Sequence, residues 1–347
     1  MSAWPFASAR AARASARILF DIGADSAAGA CVFLLPGRPP TIAYAKRVPV
    51  EVHEGDTQSA ALGRALALIA GALESNGMTA LARLAPGTRL AGALAALDAP
   101  WASAAIRVEE ERPAGGRPFV FSKRLLAEML RRAERAAAAG LGDRIEQQVV
   151  GARLNGYPTA DPMDGVAHRA SLVILVSKIA GDVGESVRKL ARERFQIQAP
   201  RIVAGAALRY RALAALFPHE RDLLILDATG SAAALSLVRG KTLVALHEFN
   251  VGGGEAWAGA TEGALRDLAA KYPLPRTILL AAEGDAAAKR QTALETSGIG
   301  ALWFAETPPR IIAVPRVAAG AVALAPQALP DMRLALAAFA AALPEYE

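Results

Sequence analysis

Two aspartates stand at the ends of short apolar runs, and each is followed by a turn of small and hydroxylated residues. Asp21 closes Ile18-Leu19-Phe20 and leads into Ile22-Gly23-Ala24-Asp25-Ser26; Asp227 closes Leu223-Leu224-Ile225-Leu226 and leads into Ala228-Thr229-Gly230-Ser231. Each run reads as a buried strand finishing at a carboxylate. Glycine and serine beyond it let backbone N–H groups approach a phosphate with no side chain in the way. The carboxylate suits a hydrated magnesium ion, so Asp21 and Asp227 are the candidate metal ligands. The chemistry implied is the holding of a phosphate ester beside a divalent cation. Either turn alone is ordinary, because any tight hairpin uses glycine and serine.

The repetition raises the signal. The two aspartates lie 206 positions apart (227 minus 21), and Ser26-Ala27-Ala28 matches Ser231-Ala232-Ala233 with one residue slipped. Each copy continues through a glycine-containing turn into a further strand. In the second copy, Arg239-Gly240-Lys241 turns the chain into Thr242–Phe249, and Gly252-Gly253-Gly254-Glu255 starts a helix. Two such hairpins opening similar stretches imply a duplicated fold with a cleft between its halves.

The elements that must position these residues follow along the chain. Thr41–Val48 is a strand, and Asp56 or Thr57 caps a helix to about Asn76, with Leu62, Leu66, Ile69 and Leu73 on one face and Gly77 beyond its end. Leu90–Leu97 suits a helix by propensity and a strand by its landing on Asp98-Ala99-Pro100-Trp101. From Ile106 to Lys178 the texture changes. A strand ends in charge at Glu111, and Ser122 caps an amphipathic helix striped by Leu125, Leu126, Met129, Leu130 and Ala133. Two further strands follow, Arg144–Leu154 and Ser171–Ser177, making a small α+β unit that interrupts one half. Beyond it come a helix at Asp182–Phe195, a strand at Arg201–Ala204 and a helix at Ala206–Phe217. The later part carries a helix from Glu255 to about Lys271, strands at 277–280, Ala301–Phe304 and Arg310–Val314, and a last helix from Asp331.

Composition bounds the rest. The chain has 347 residues, 53% of them hydrophobic and 21% charged, enough for about two domains with their own cores. Much of the apolar fraction is alanine, which favours helix and blurs strands. One cysteine, Cys31, excludes an internal disulfide framework and fits a reducing cytosol. The net charge of +6 is spread along the chain, and only 5% of residues are aromatic, so no stacking platform for nucleic acid is visible. No uninterrupted apolar run is long enough to span a membrane. Residues 1–17 carry Trp4 and Phe6 ahead of Arg10, Arg13 and Arg17, which suits either a disordered basic lead-in or an interfacial helix touching a membrane.

The segment from Asp21 to Ser26 resembles the first phosphate loop of the actin-like ATPases, and Asp227–Ser231 sits where their second loop belongs. The run Ile145–Val176, with Asn155-Gly156-Tyr157, Pro162-Met163-Asp164-Gly165 and Ser171-Leu172-Val173, resembles the insert carried by the FtsA/PilM-like branch of that superfamily. The likeness covers roughly 18–285, mostly as order of elements. It implies an α/β, duplicated actin-like (ribonuclease H-like) fold with an inserted α+β subdomain of SHS2 type. The expected organisation is a lead-in at 1–17, first-half segments at 18–105 and 179–218, the insert at 106–178, and a reduced second half at 219–347. The nucleotide-binding positions implied are Asp21, Gly23, Asp25, Ser26, Asp227, Thr229, Gly230, Ser231, Gly252, Gly253, Gly254, Glu283 and Gly284. Ala228 and Thr229 depart from the family's glycine run, a single helix replaces the subdomain that completes the adenosine pocket, and Glu283-Gly284 stands where a glycine pair is usual. ATP and Mg2+ binding is therefore expected to be weak or lost, with little or no hydrolysis.

Other chemistry is sparse. His53, His168, His219 and His247 lack metal-ligand spacing, and neither a G-x-S-x-G elbow nor a P-loop is present. The expectation is an FtsA-like cytoplasmic scaffold of cell division at the inner face of the membrane, self-associating through 106–178. The alternatives are a PilM-like platform of type IV pilus assembly, an active actin-like ATPase and a small-molecule kinase. Its partners would be proteins of the division or pilus machinery, not nucleic acid.

Overall fold

The structure, a computed structural model, describes residues 14–137, 142–251, 255–303, 308–314 and 320–346. The first half opens with β1 (Ser15–Ile22), β2 (Ser26–Leu34) and β3 (Thr41–Pro49), then α1 (Gln58–Ala72), α2 (Met78–Leu84) and β4 (Leu90–Leu97). The insert holds β5 (Ala102–Glu111), β6 (Phe119–Val120), α3 (Lys123–Ala136), β7 (Asp143–Leu154), β8 (Tyr157–Thr159), β9 (Val166–Ala167) and β10 (Ala170–Ile179). The first half then resumes with α4 (Gly181–Phe195), β11 (Arg201–Ala204) and α5 (Gly205–Leu216). The second half holds β12 (Leu223–Asp227), β13 (Ala232–Arg239), β14 (Thr242–Asn250), α6 (Glu255–Ala269), β15 (Thr277–Ala281), α7 (Ala286–Thr296) and β16 (Arg310–Ala313), and the chain closes with β17 (Ala323–Leu324) and α8 (Met332–Ala341).

The duplication holds strand by strand. The first sheet runs β11-β4-β1-β2-β3-β17 and the second runs β16-β15-β12-β13-β14, so β1 answers β12, β2 answers β13, and so on outward. The hairpin registers agree: Asp21 lies opposite Ala28, and Asp227 lies opposite Ala234. The parallel neighbours agree too, Asp21 beside Ala96 and Asp227 beside Ala281. By this register the counterpart of Ser26 is Ala232, so the slip seen in the Ser-Ala-Ala match is a feature of the sequence alone. Counting on from Ala96 and Ala281 makes Asp98 and Glu283 equivalent positions.

Packing explains the strand at Leu90–Leu97. It lies between β1 and β11, buried from Ala93 onward, and that burial overrides the helical preference of its alanines. The helix capped by Thr57, whose hydroxyl accepts from Ala60 N, runs past the expected stop at Gly77 through a π turn, Leu73–Gly77, into α2. Gly77 is helical rather than a cap; a Cβ there would meet Cys31 Sγ at 2.6 Å, so its smallness lets the helix approach β2 closely. The stretch Gln58–Leu84 is long and apolar enough for a membrane span by composition, yet Leu62, Leu66, Ile69 and Leu73 belong to the first core.

The insert is a four-stranded antiparallel sheet, β5-β10-β7-β8, covered by α3, with a small β6-β9 ribbon. Phe121, Met129, Leu172 and Ile174 form its own core. Its roots, Ala102, Ala104, Leu175 and Ile179, are built into the core of the first half.

Four further expectations need correction. Arg17 lies within β1, so the lead-in ends earlier; residues 1–13 lie outside the described residues. Residues 301–302 belong to a 3-10 turn, Gly298–Leu302, and not to a strand; Ile299 and Trp303 anchor that turn in the second core, with the Trp303 indole donating to Pro275 O at 2.8 Å. Residues 219–347 do not stay in one half. β17 pairs in parallel with β3, and α8 packs against α5 and β1, so the end of the chain returns to the first half and fills the interface between the two. The last correction concerns the candidate site.

Candidate functional site

Asp21 and Asp227 come together at the facing ends of the two hairpins, as the duplication requires, and both are buried, 1% and 5% exposed. A third carboxylate joins them. Asp98 follows β4, where its N–H donates to Ile22 O at 2.8 Å, and it is 7% exposed. The charges are answered by three arginines. Arg209 comes from α5, Arg333 from α8 and Arg47 from β3. The first two sit on helices that pack against each other.

The pairing is dense. Asp21 Oδ1 accepts from Arg333 Nε at 3.1 Å and Nη2 at 3.0 Å, and its Oδ2 accepts from Arg47 Nη2 at 2.6 Å. Asp98 Oδ1 accepts from Arg209 Nη2 at 2.7 Å and its Oδ2 from Arg333 Nη2. Asp227 Oδ2 accepts from Arg209 Nε, while its Oδ1 accepts from Thr229 N at 3.1 Å and from Thr229 Oγ1 at 2.7 Å. Thr229, expected as a nucleotide contact, thus closes an Asx turn on Asp227. Arg209 crosses the interface, linking Asp98 of the first half to Asp227 of the second, while Arg333 on the last helix reaches Asp21 and Asp98, both of the first half.

The local electrostatics follow from burial and proximity. Burial alone would raise the Asp98 pKa, but Arg209 and Arg333 outweigh it and hold the carboxyl below its usual range. Burial opposes the charge on Arg209, and Asp227, Asp98 and Asp21 overcome it, so the guanidinium is held even more firmly protonated than usual. Arg47 behaves alike: its burial is outweighed by Asp21 and Asp331.

Between the two turns lies a cavity of about 330 Å³. Asp25 and Ser26 line it from the first turn, Thr229, Gly230 and Ser231 from the second, and Glu283 from the loop after β15; Arg47, Asp331 and Arg333 complete the wall. Arg47 also donates to Ser26 Oγ at 2.9 Å and pairs with Asp331. Asp331 caps α8, accepting from Leu334 N at 2.9 Å, and Glu283 Oε2 accepts from Met332 N at 2.7 Å. Both halves thus place a carboxylate on the positive end of that helix. Gly23 is fixed through its carbonyl, which accepts from Trp101 Nε1 at 2.8 Å. Gly284, at φ +51°, turns the chain toward α7. Gly252, Gly253 and Gly254 lie outside the described residues.

Most of the expected binding positions are therefore gathered, but the residues do not fit a magnesium–nucleotide. All six carboxylate oxygens of Asp21, Asp98 and Asp227 already accept from the protein's own donors. Arg333 Nη1 stands between the loops, 3.2 Å from where a Cβ on Gly23 would lie and 3.0 Å from one on Gly230. Among the described residues no group of three His, Cys, Asp or Glu is arranged to hold a metal ion. This corrects the reading of Asp21 and Asp227 as metal ligands: here they are anion partners of arginines. Arg47, Arg209, Arg333 and Asp98 were missed in the sequence. The available signal was arginine in an otherwise apolar helix: Arg209 and Arg211 in GAALRYRALAAL of α5, and Arg333 alone in MRLALAAFAA of α8.

No family model matches the sequence, and no curated protein matches it at significant similarity. Among solved structures, the chain is similar to one described as the PilM-PilN type IV pilus biogenesis complex, at 15% identity over 95% of this chain and 98% of that chain, with a TM-score of 0.58. It is also matched by a Bacteroides thetaiotaomicron protein of actin-like ATPase fold and unknown function, at 9% identity over 86% and 90% with a TM-score of 0.44. A third match is the ethanolamine utilization protein EutJ from Carboxydothermus hydrogenoformans, at 13% identity over 96% and 90% with a TM-score of 0.39. The chain has a duplicated actin-like fold, which it shares over 95% of its length with the structure described as the PilM-PilN complex.

Proposed function

We propose that this chain is a PilM-like assembly platform, an actin-fold protein that works by holding a protein partner of a pilus-type machinery rather than by turning over a substrate. The supporting observation is the likeness to a PilM-PilN complex over 95% of this chain and 98% of that one, which takes in the insert as well as both halves. That likeness favours the pilus-assembly reading over the cell-division one. On this reading the protein sits at the cytoplasmic face of the membrane and meets its partner through the insert, which is the part of the fold outside the duplicated core. Within the insert, Val120 and Val166 face each other across the β6-β9 ribbon and are 54% and 64% exposed. An apolar pair so exposed on a small ribbon is a natural contact for another protein.

The test is co-purification with the pilus-assembly proteins of the source organism, a PilN-like protein first. A stable complex is expected, weakened at least about tenfold by Val120→Asp with Val166→Asp. Point variants suit this test better than removal of 106–178, because that cut takes away Leu175, which belongs to the first core. Failure to form a complex with any of these proteins, or a complex indifferent to the double variant, would overturn the proposal.

A further inference from the structure

Arg333 is the one charged side chain of α8 and is 5% exposed, in a helix where Met332, Leu334, Leu336 and Ala338 are all buried. A guanidinium so deeply buried persists where carboxylates answer its charge. Here Nε and Nη2 donate to Asp21, near the end of β1, and Nη2 also to Asp98, just beyond β4. Its third nitrogen, Nη1, reaches between Gly23 of one turn and Gly230 of the other. A side chain at either glycine would crowd that nitrogen at 3.2 or 3.0 Å, so the glycines admit an arginine. They would have admitted a phosphate by the same absence of a Cβ.

A planar cation with a rigid fork of N–H donors makes the same demand on two carboxylates that a hydrated divalent ion makes. Arg209 continues the arrangement, carrying it from Asp98 to Asp227 across the interface. We propose that Arg333 is a built-in counter-ion occupying the seat of a metal and phosphate, so that the chain closes its own cleft and needs no nucleotide to do so. The cavity that remains is lined by Asp25, Glu283 and Asp331 as well as by Arg47 and Arg333, so an entering polyphosphate meets more carboxylates than cations. Arg333 fills the seat and Arg209 ties the halves, Asp98 to Asp227, so the two together take the role of a bound ligand. The two halves stay tied in every condition that keeps these carboxylates ionised.

The experiment uses the full chain and follows its thermal melting with magnesium alone, with Mg-ATP and with methylguanidinium, for the natural sequence and for Arg333→Ala. The natural protein is expected to show no change in Tm with magnesium or Mg-ATP and no binding heat. Arg333→Ala should melt lower, and methylguanidinium, which fits the vacated seat, should raise its Tm while leaving the natural protein's unchanged. If Arg333→Ala does not fold, Arg333→Lys replaces it, keeping the charge without the fork; a lowered Tm and no magnesium response are then expected. A natural protein stabilised by Mg-ATP would overturn the inference. So would an alanine variant as stable as the natural chain, one that methylguanidinium does not rescue, or a lysine variant with the natural Tm. None of these measurements involves a protein partner, so they leave the pilus-platform reading to its own test.

Discussion

Replacing Arg209 with methionine removes one cation from the centre of the network and keeps most of the side-chain volume. In the natural chain this guanidinium, 4% exposed, pairs with Asp98 at 2.7 Å and with Asp227, and lies 3.8 Å from Asp21. Without it, among the described residues, Asp227 keeps the hydrogen bonds from Thr229, and Asp98 keeps the one from Arg333. Stranding a buried charge in this way costs about 3–5 kcal/mol, a large share of the roughly 5–15 kcal/mol by which a domain is stable. A surface pair gives the contrast: Arg132, paired with Glu109 and Glu111 at 3.0 Å with its side chain 29% exposed, should cost under about 1 kcal/mol when changed to methionine. The assay is urea unfolding by circular dichroism, comparing midpoints at constant slope. Repeating it at different pH adds a second readout. The natural Asp98 is held below its usual pKa, so its contribution is present above the unfolded value near 4 and fades as pH falls through the folded one. In the variant Asp98 loses the first of the cations that hold it down, so the gap between the two proteins should be widest near neutral pH and narrow on acidification. A loss under about 1 kcal/mol, or a gap that does not change with pH, would show that the network behaves like surface ion pairs and would refute the reasoning.

Further substitutions test single links. Gly205→Ala at the start of α5 would normally help a helix, but its Cβ would overlap Asp98 Oδ1 and lie 2.7 Å from Arg209 Nη1; a net loss of about 1–3 kcal/mol in urea unfolding is expected. Gly77→Ala sets the same helical gain against a Cβ 2.6 Å from Cys31 Sγ and 3.4 Å from Tyr44, so it should destabilise, and Cys31→Ala should relieve part of the loss in the double variant. Glu248, on β14, accepts from Ala104 N at 2.9 Å and ties the insert to the second half. Burial, against the pull of that hydrogen bond and with the charge of Asp98 added, pushes its carboxyl up to about 7. A raised carboxyl favours folding below its unfolded pKa and loses that contribution as pH climbs through about 7. Glu248→Gln should therefore gain about 1–2 kcal/mol over the natural chain at pH 8 and little at pH 5, read from thermal melts at the two pH values.

The duplicated frame was legible because it is written locally: each half announces itself with an apolar run, an aspartate and a small-residue turn, and the caps at Thr57, Ser122 and Asp331 are short-range signals. The chemistry of the site was not legible from those same turns. Asp21 and Asp227 read as metal ligands because carboxylates beside glycines fit that role, and nothing near them in sequence shows which cation meets them. Their partners lie far along the chain; Arg333 reaches Asp21 across 312 residues and Arg209 reaches Asp98 across 111. Gly77 misled for a related reason. A glycine at a helix end and one at a tight helix-to-sheet approach look alike until the facing side chain, here Cys31, is known. Alanine hid β4 by lending helical propensity to a strand that is decided by its neighbours β1 and β11.

The central claim joins a pilus-type partner to a cleft that the chain closes for itself, and one binding isotherm tests both. The full chain is titrated with a PilN-like partner in the presence and absence of Mg-ATP. The account predicts a single saturable isotherm with the same Kd in both conditions. Binding that appears only with Mg-ATP, or that tightens several-fold with it, would contradict the self-closed cleft, and the absence of binding in both would contradict the platform.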